Sequence, residues 1–168
     1  KEFVQRYSDH DGFAFGMERF NYQYISDYYP NDIDYDLKKI KIFTIDIEVA
    51  CENGFPNPND AIEEVLCITI KNHSNGKIIV WGTGEFQTDK KYVEYVPCRS
   101  ETHMLSEFLN FWQDNCPDII TGWNSKLFDM SYICNRIINI MSERDVKKLS
   151  PWGVVHSDPI EMMGKTLA

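Results

Sequence analysis

The chain has 168 residues, 43% hydrophobic and 14% aromatic, which suits one domain with a sizeable core and excludes general disorder. Its formal net charge of −9 excludes a protein that grips duplex DNA by overall charge, but leaves room for carboxylates that reach phosphate through divalent cations. Five cysteines (Cys51, Cys67, Cys98, Cys116 and Cys134) without a CxxC pair predict free thiols in a reducing compartment, not a disulfide frame or a zinc site. No apolar run approaches the ~20 residues of a membrane span, and no signal peptide opens the chain. It begins at Lys1, not Met, and reads as a piece of something longer.

Residues 1 to 37 are rich in Tyr, Phe and Asp, with turn signals at Asp11-Gly12 and Pro30-Asn31-Asp32. Phe13, Phe15, Met17 and Phe20 suggest short extended segments there. Lys39 to Val49 reads as a central strand, and Glu52 to Asp60, with Gly54, Pro56 and Pro58, as a loop. Val65 to Lys71 and Lys77 to Trp81 form a hairpin about Asn75-Gly76, followed by a short strand over Tyr92 to Val96. Ser100 to Asn115 predicts a helix with Met104, Leu105, Phe108, Leu109, Phe111 and Trp112 on one face, a partial capping box at Ser100 and His103, and a stop at Pro117. Asp118 to Thr121 is a short strand, Gly122-Trp123-Asn124 a turn, and Leu127 to Met141 a second helix, apolar at Met130, Ile133, Cys134, Ile137, Ile138 and Met141. The segment after Ser150 carries no clear signal. The pattern is that of an α/β domain with a mixed sheet.

Inside "FTIDIEV", residues 43–49, Asp46 and Glu48 stand two apart on a strand, so both point to one face while Ile45, Ile47 and Val49 point to the other. Two like charges this close repel, and burial adds a desolvation cost, so something must compensate. A solvated sheet edge, an Arg or Lys partner, and a divalent metal are the three answers. In "GWNSKLFDMSY" a third acid, Asp129, falls in the first turn of a helix directly after a strand, where helix capping or dipole pairing is its ordinary role. Arg136, Arg144, Lys147 and Lys148 suggest either a basic strip toward DNA or a neighbouring domain, or a solvated helix face.

An Asp-x-Glu strand followed by a strand–turn–helix with Asn-x-x-x-Phe-Asp resembles the first two motifs of the 3′-to-5′ proofreading exonucleases of the DEDD group. "GMERFNYQYISDYYPNDI", "IDIEVACENGFPNP", "ITGWN" and "NRIINIMSERDVKKLSPWG" narrow the likeness to the exonuclease region of family B DNA polymerases of T-even-type bacteriophages, from about Gly12 to Gly164. The resemblance implies a ribonuclease-H-like fold, a mixed sheet flanked by helices and truncated at its C-terminal side. Residues 1–37 would be the lead-in segment of a polymerase and 38–168 a partial exonuclease domain. It implies removal of nucleotides from a primer 3′ end with two ions of Mg²⁺ or Mn²⁺. Asp46 matches the acid that bridges both metals, Glu48 a ligand of the hydrolytic metal, and Asp129 the acid supporting the second. Asn124 matches a residue orienting strand or acid, Phe128 one lining the path of the terminal nucleotide, and Phe55 an aromatic on which a frayed base stacks. The implied partners are a single-stranded DNA 3′ end, the remaining polymerase domains and, through the full polymerase, a phage sliding clamp, in the cytoplasm of an infected bacterial host, with no membrane.

One departure stands out. The family's third motif, Tyr-x-x-x-Asp, supplies a further acid, and none of the 39 residues after Asp129 reads so. The loose echo "HSDPIE" at residues 156–161 reads as a surface loop. The isolated chain is therefore expected to be weakly active or inactive and unable to synthesise DNA, the polymerase palm being absent. A non-catalytic docking part of a split polymerase, and a stand-alone RNA-processing nuclease of the same fold, are the alternative readings.

Overall fold

The computed structural model describes residues 20–31, 34, 36–52, 54–156, 160–162 and 165–167. The chain divides into two compact units, Lys1–Leu37 and Lys38–Ala168.

In the first unit, Phe20–Tyr28 forms helix α1. This corrects the extended reading at Phe20; Phe13, Phe15 and Met17 lie outside the described residues. The aromatics there are spaced for a helix, since Tyr24 and Tyr28, four residues apart, stack with ring centroids 4.5 Å apart. Gln23 Nε2 also donates to Asp27 Oδ1 at 2.8 Å, again four residues on.

The second unit is built on five strands: β1 (Ile42–Val49), β2 (Val65–Asn72), β3 (Ile78–Gly82), β4 (Val93–Pro97) and β5 (Ile119–Thr121). Their spatial order is β4-β3-β2-β1-β5. β1 pairs antiparallel with β2 and parallel with β5, β2 antiparallel with β3, and β3 parallel with β4. The sheet is thus mixed, and β1 is an interior strand. Helix α2 (Glu101–Asn115) links β4 to β5, and α3 (Asp129–Ile140) follows β5, with a short α4 at Glu143–Val146. A separate two-stranded pair joins β6 (Ile160–Met162) to β7 (Lys165–Leu167). Glu161 of the "HSDPIE" echo therefore lies on a strand, while residues 157–159 lie outside the described residues.

One face of the sheet is apolar, through Phe43, Ile45 and Ile47 of β1, Ile68 and Ile70 of β2, and Trp81 of β3, all buried. Helices α2 and α3 cover it with Met104, Leu105, Phe108, Leu109, Trp112, Tyr132, Ile133 and Ile137 in one core. Period-two and period-3.6 patterns meet there, as they must when an amphipathic helix covers half a sheet. Ile138, expected on the apolar face of the second helix, is exposed, and Tyr132 takes the buried place beside Ile133. Ser100 caps α2 by accepting from His103 N at 3.2 Å. His103 Nδ1 in turn accepts from Arg99 N at 3.3 Å, one residue earlier than a Glu in a capping box would reach. All five cysteines are free thiols. No described helix is long and apolar enough to cross a membrane.

Arg136 does not join a basic strip. It lies on α3 facing α2, and its Nη2 meets Glu101 Oε2 at 2.7 Å while its Nε meets Glu101 Oε1 at 2.7 Å. Both side chains are largely buried, which makes this forked pair a joint between helices. Glu101 Oε1 also accepts from Val65 N at 2.8 Å, the first residue of β2. Of the other three cations named above, Lys148 is tied to Asp145 at 2.7 Å, a pair exposed enough to contribute little.

Removing one partner of the fork leaves the other charge buried and unpaired. Glu101→Ala and Arg136→Ala are each expected to lower unfolding free energy by ~3–5 kcal/mol in urea titration. A loss below about 1 kcal/mol, the size of an exposed ion pair, would refute the joint. The thiols should separate by reactivity. Burial pushes Cys134 up to about 11, whereas Cys51 is exposed. Iodoacetamide at pH near 8 should therefore modify Cys51 first and Cys134 last by peptide mass mapping.

Candidate active site

Along β1 the buried residues alternate with exposed Asp46 and Glu48. The pairing places Asp46 opposite Thr69 and Glu48 opposite Cys67, so the acids share the polar face of the sheet with Thr44, Thr69 and Lys71. Thr44 Oγ1 on that face lies 2.8 Å from His73 Nε2. Register with β2 slips directly after Glu48, where Val49 pairs with Val65 and Leu66 is the extra residue. Such a bulge bends a strand and re-aims its side chains.

The third acid arrives by a turn with two steric demands. A Cβ at Gly122 would sit 2.6 Å from the carbonyl oxygen of Ile45, so only glycine lets this segment pass β1. Asn124 then takes φ 56°, a left-handed conformation that Asn tolerates better than most residues. Its carbonyl accepts from Leu127 N and Phe128 N, both at 3.0 Å, and its side chain is exposed. The turn delivers Asp129 as the first residue of α3. Because β5 pairs with β1 only up to Thr44, the N–H of Ile47 lies past the end of that ladder. Asp129 Oδ1 accepts it at 3.1 Å.

Asp129 is 3% exposed, and its carboxyl is held above the usual range. Burial is the main cause, with the charges of Asp46 and Glu48 adding to it and hydrogen bonds from backbone N–H groups opposing it. Asp46 and Glu48 thus act electrostatically on Asp129. The Cys67 thiol is likewise pushed up, by burial first and by the charges of Glu48 and Asp46 after it, against a hydrogen bond from Thr69. It is a neutral neighbour at neutral pH.

The donor chemistry suits a hard divalent cation, since Asp46 and Glu48 present carboxylate oxygens from one face of one strand. Among the described residues, however, no three His, Cys, Asp or Glu side chains converge closely enough to hold an ion. Two acids face outward together, and the third is drawn to the backbone between them.

Phe55 is 85% exposed in the loop between β1 and β2. Its ring stands 5.3 Å from that of Phe128, and Phe128 stands 5.6 Å from Tyr132, giving a tilted aromatic row at the start of α3. Asn124 opens the turn leading into the row. Sequence alone does not single out the polar stripe of α3. Tyr132, Asn135, Arg136 and Asn139 recur at helical spacing and donate to carbonyls of residues 58–63. The spacing in "YICNRIIN" was the available signal, but polar residues on a helix read as a solvated face.

A mixed five-stranded sheet flanked by helices, with two acids on an interior strand and a third on a strand–turn–helix unit, defines an α/β domain of the ribonuclease-H-like exonuclease type. The family model for the exonuclease domain of DNA polymerase family B matches residues 18–166, and the chain belongs to that family. It is similar to the DNA-directed DNA polymerases of Escherichia phage RB69, 33% identical over 96% of this chain, and Enterobacteria phage T4, 32% identical over 97%. The chain spans 21% of the length of either phage polymerase. It also resembles the DNA polymerase catalytic subunit of equine herpesvirus 2, 30% identical over 59% of this chain and 10% of that protein.

Asp129→Asn should stabilise the fold. The carboxyl's folded pKa is raised, so its charged form opposes folding above that pKa, and the opposition vanishes below the unfolded value of about 4. Asn keeps an acceptor for Ile47 N–H. The variant is expected to gain about 1 kcal/mol at pH 7, with the gain closing as pH falls to about 4, in urea unfolding across pH. A gain that persists unchanged at low pH would contradict the burial of charge as its source.

Proposed function

We propose that this chain carries part of a proofreading 3′-to-5′ exonuclease, hydrolysing the terminal phosphodiester of a primer strand within a longer DNA polymerase. The observation that supports it best is the outward pair Asp46 and Glu48 on β1, with Asp129 hydrogen-bonded to the backbone residue between them. In this reading Asp46 and Glu48 would hold Mg²⁺ or Mn²⁺ from the exposed face, two ions in the complete enzyme, and Asp129, bonded to Ile47 N–H, would support the second through water. When bound, the ions supply a water made acidic enough to attack at neutral pH and charge compensation at the leaving oxygen. The three carboxylates concentrate negative charge and are not proton-transfer bases. Phe55 and Phe128 receive the unpaired terminal base by stacking, at ~1–3 kcal/mol per base. Asn124 sets the turn that brings Phe128 and Asp129 to the strand. The partners are a single-stranded DNA 3′ end, the other polymerase domains and, through the full polymerase, a phage sliding clamp, in the cytoplasm of an infected bacterium.

The third motif of the family does not occur after Asp129 in these residues, so cleavage by this chain alone is expected to be slow or absent. Mn²⁺ binding is the more direct test. Calorimetry should show weak binding that falls at least about tenfold in Asp46→Ala, as expected when a charged ligand is lost. A 3′-labelled oligonucleotide with Mn²⁺ should show at most slow loss of the terminal label, abolished by the same substitution. Mn²⁺ affinity indifferent to Asp46→Ala, or brisk cleavage that survives it, would remove the reading.

A further inference from the structure

The loop that carries Phe55 is held from one side by a single helix. Tyr132 Oη donates to the carbonyl of Glu63 at 2.8 Å, and Asn135 Nδ2 to that of Pro58 at 2.8 Å. Arg136 Nη1 donates to Ile62 O at 2.6 Å and Ala61 O at 3.1 Å. Asn139 Nδ2 donates to Asp60 O at 2.8 Å and Ala61 O at 3.3 Å. Asn135 and Arg136 stand three and four residues after Tyr132, and Asn139 four and three after them, so they form one stripe of α3.

The held segment contains an unfavourable conformation. Ala61 is fully buried at φ 42°, in the left-handed region that residues with a Cβ avoid. Its carbonyl takes two of the helix donors, Arg136 Nη1 and Asn139 Nδ2, so the bonds that secure the loop also secure this residue. Arg136 is itself fixed by its fork to Glu101 on α2. The same helix begins at Asp129, bonded to β1 between Asp46 and Glu48. One rigid element therefore fixes both the acid strand and the far side of the Phe55 loop.

We propose that Arg136 is a positioning residue for end recognition. Oriented by Glu101, it holds residues 58–63 against α3, so that Phe55 meets Phe128 at the edge of the acid face and stacks an unpaired 3′-terminal base. Arg136 touches neither base nor phosphate, and its effect is transmitted through Phe55. The inference rests on the stacking role assigned to Phe55 above.

The test is a double-mutant cycle on the full chain. The probe is a single-stranded oligonucleotide with 2-aminopurine at its 3′ end, in Ca²⁺, read as fluorescence quenching on binding. Phe55→Ala is expected to weaken binding about tenfold, the scale of one lost base–aromatic stack. Arg136→Lys, which keeps the charge but loses the fork, should weaken it by a similar factor, and the double variant should bind no worse than Phe55→Ala alone. A merely structural Arg136 would instead add its loss in full to that of Phe55→Ala. That result, or unchanged binding by Arg136→Lys, overturns the proposal while leaving the Phe55 reading intact. No quench by the wild-type chain, or one that Phe55→Ala does not alter, removes the Phe55 reading and the inference with it. Should Arg136→Lys melt below the assay temperature, Asn139→Ala replaces it in the same cycle, since it removes two loop bonds and spares the fork.

Discussion

The buried fork between Arg136 and Glu101 is the constraint on which the second unit turns. A guanidinium and a carboxylate are removed from water there, and neither is tolerable alone. Glu101 begins α2 and also takes the first N–H of β2, while Arg136 sits in the middle of α3 and donates to the loop before β2. One ion pair thereby specifies how two helices, a strand end and a loop meet. Apolar packing of Phe108, Trp112, Ile133 and Ile137 supplies the drive to bury surface, yet such contacts are forgiving in angle. The fork is not, because two parallel hydrogen bonds fix a plane.

The site itself is built against stability. Asp46 and Glu48 face outward, where water offsets their repulsion, but Asp129 is buried near both. A hydrogen bond from Ile47 N–H offsets only part of that cost. A fold selected for stability alone would place an amide there. Retaining a carboxylate is consistent with a site whose charge is meant to be met by something not covalently part of the chain.

Most of the sheet and both main helices were legible because their signals are local. Alternation from Phe43 to Val49 separates the apolar face of β1 from its acids, and Asn75-Gly76 marks the hairpin. Ser100 and Pro117 bracket α2. Asp129 was placed rightly at the head of a helix, but its bond to Ile47 joins residues 82 apart and leaves no trace in spacing. Arg136 was misread for the same reason. Its partner lies 35 residues away, and a cation on a helix defaults to solvent unless an acid is known to face it. Phe20 failed differently, since Phe13, Phe15, Met17 and Phe20 suggest extended segments while the four-residue repeat of Tyr24 and Tyr28 just after them marks a helix. The left-handed turn at Ala61 had no signal, because alanine, unlike Gly or Asn, is not a residue that marks such a turn.

The extra residue in β2 sets which side chains meet the core at the head of that strand. Without the slip the two strands would continue in step, Leu66 would face Val49, and Val65 would turn toward the acids. Inserting one residue is a half-period phase slip. It returns Val65, whose N–H donates to Glu101, to the apolar side. Parity of residues between Glu48's partner and the head of β2 therefore decides which side chain there meets the core and which would meet the acids.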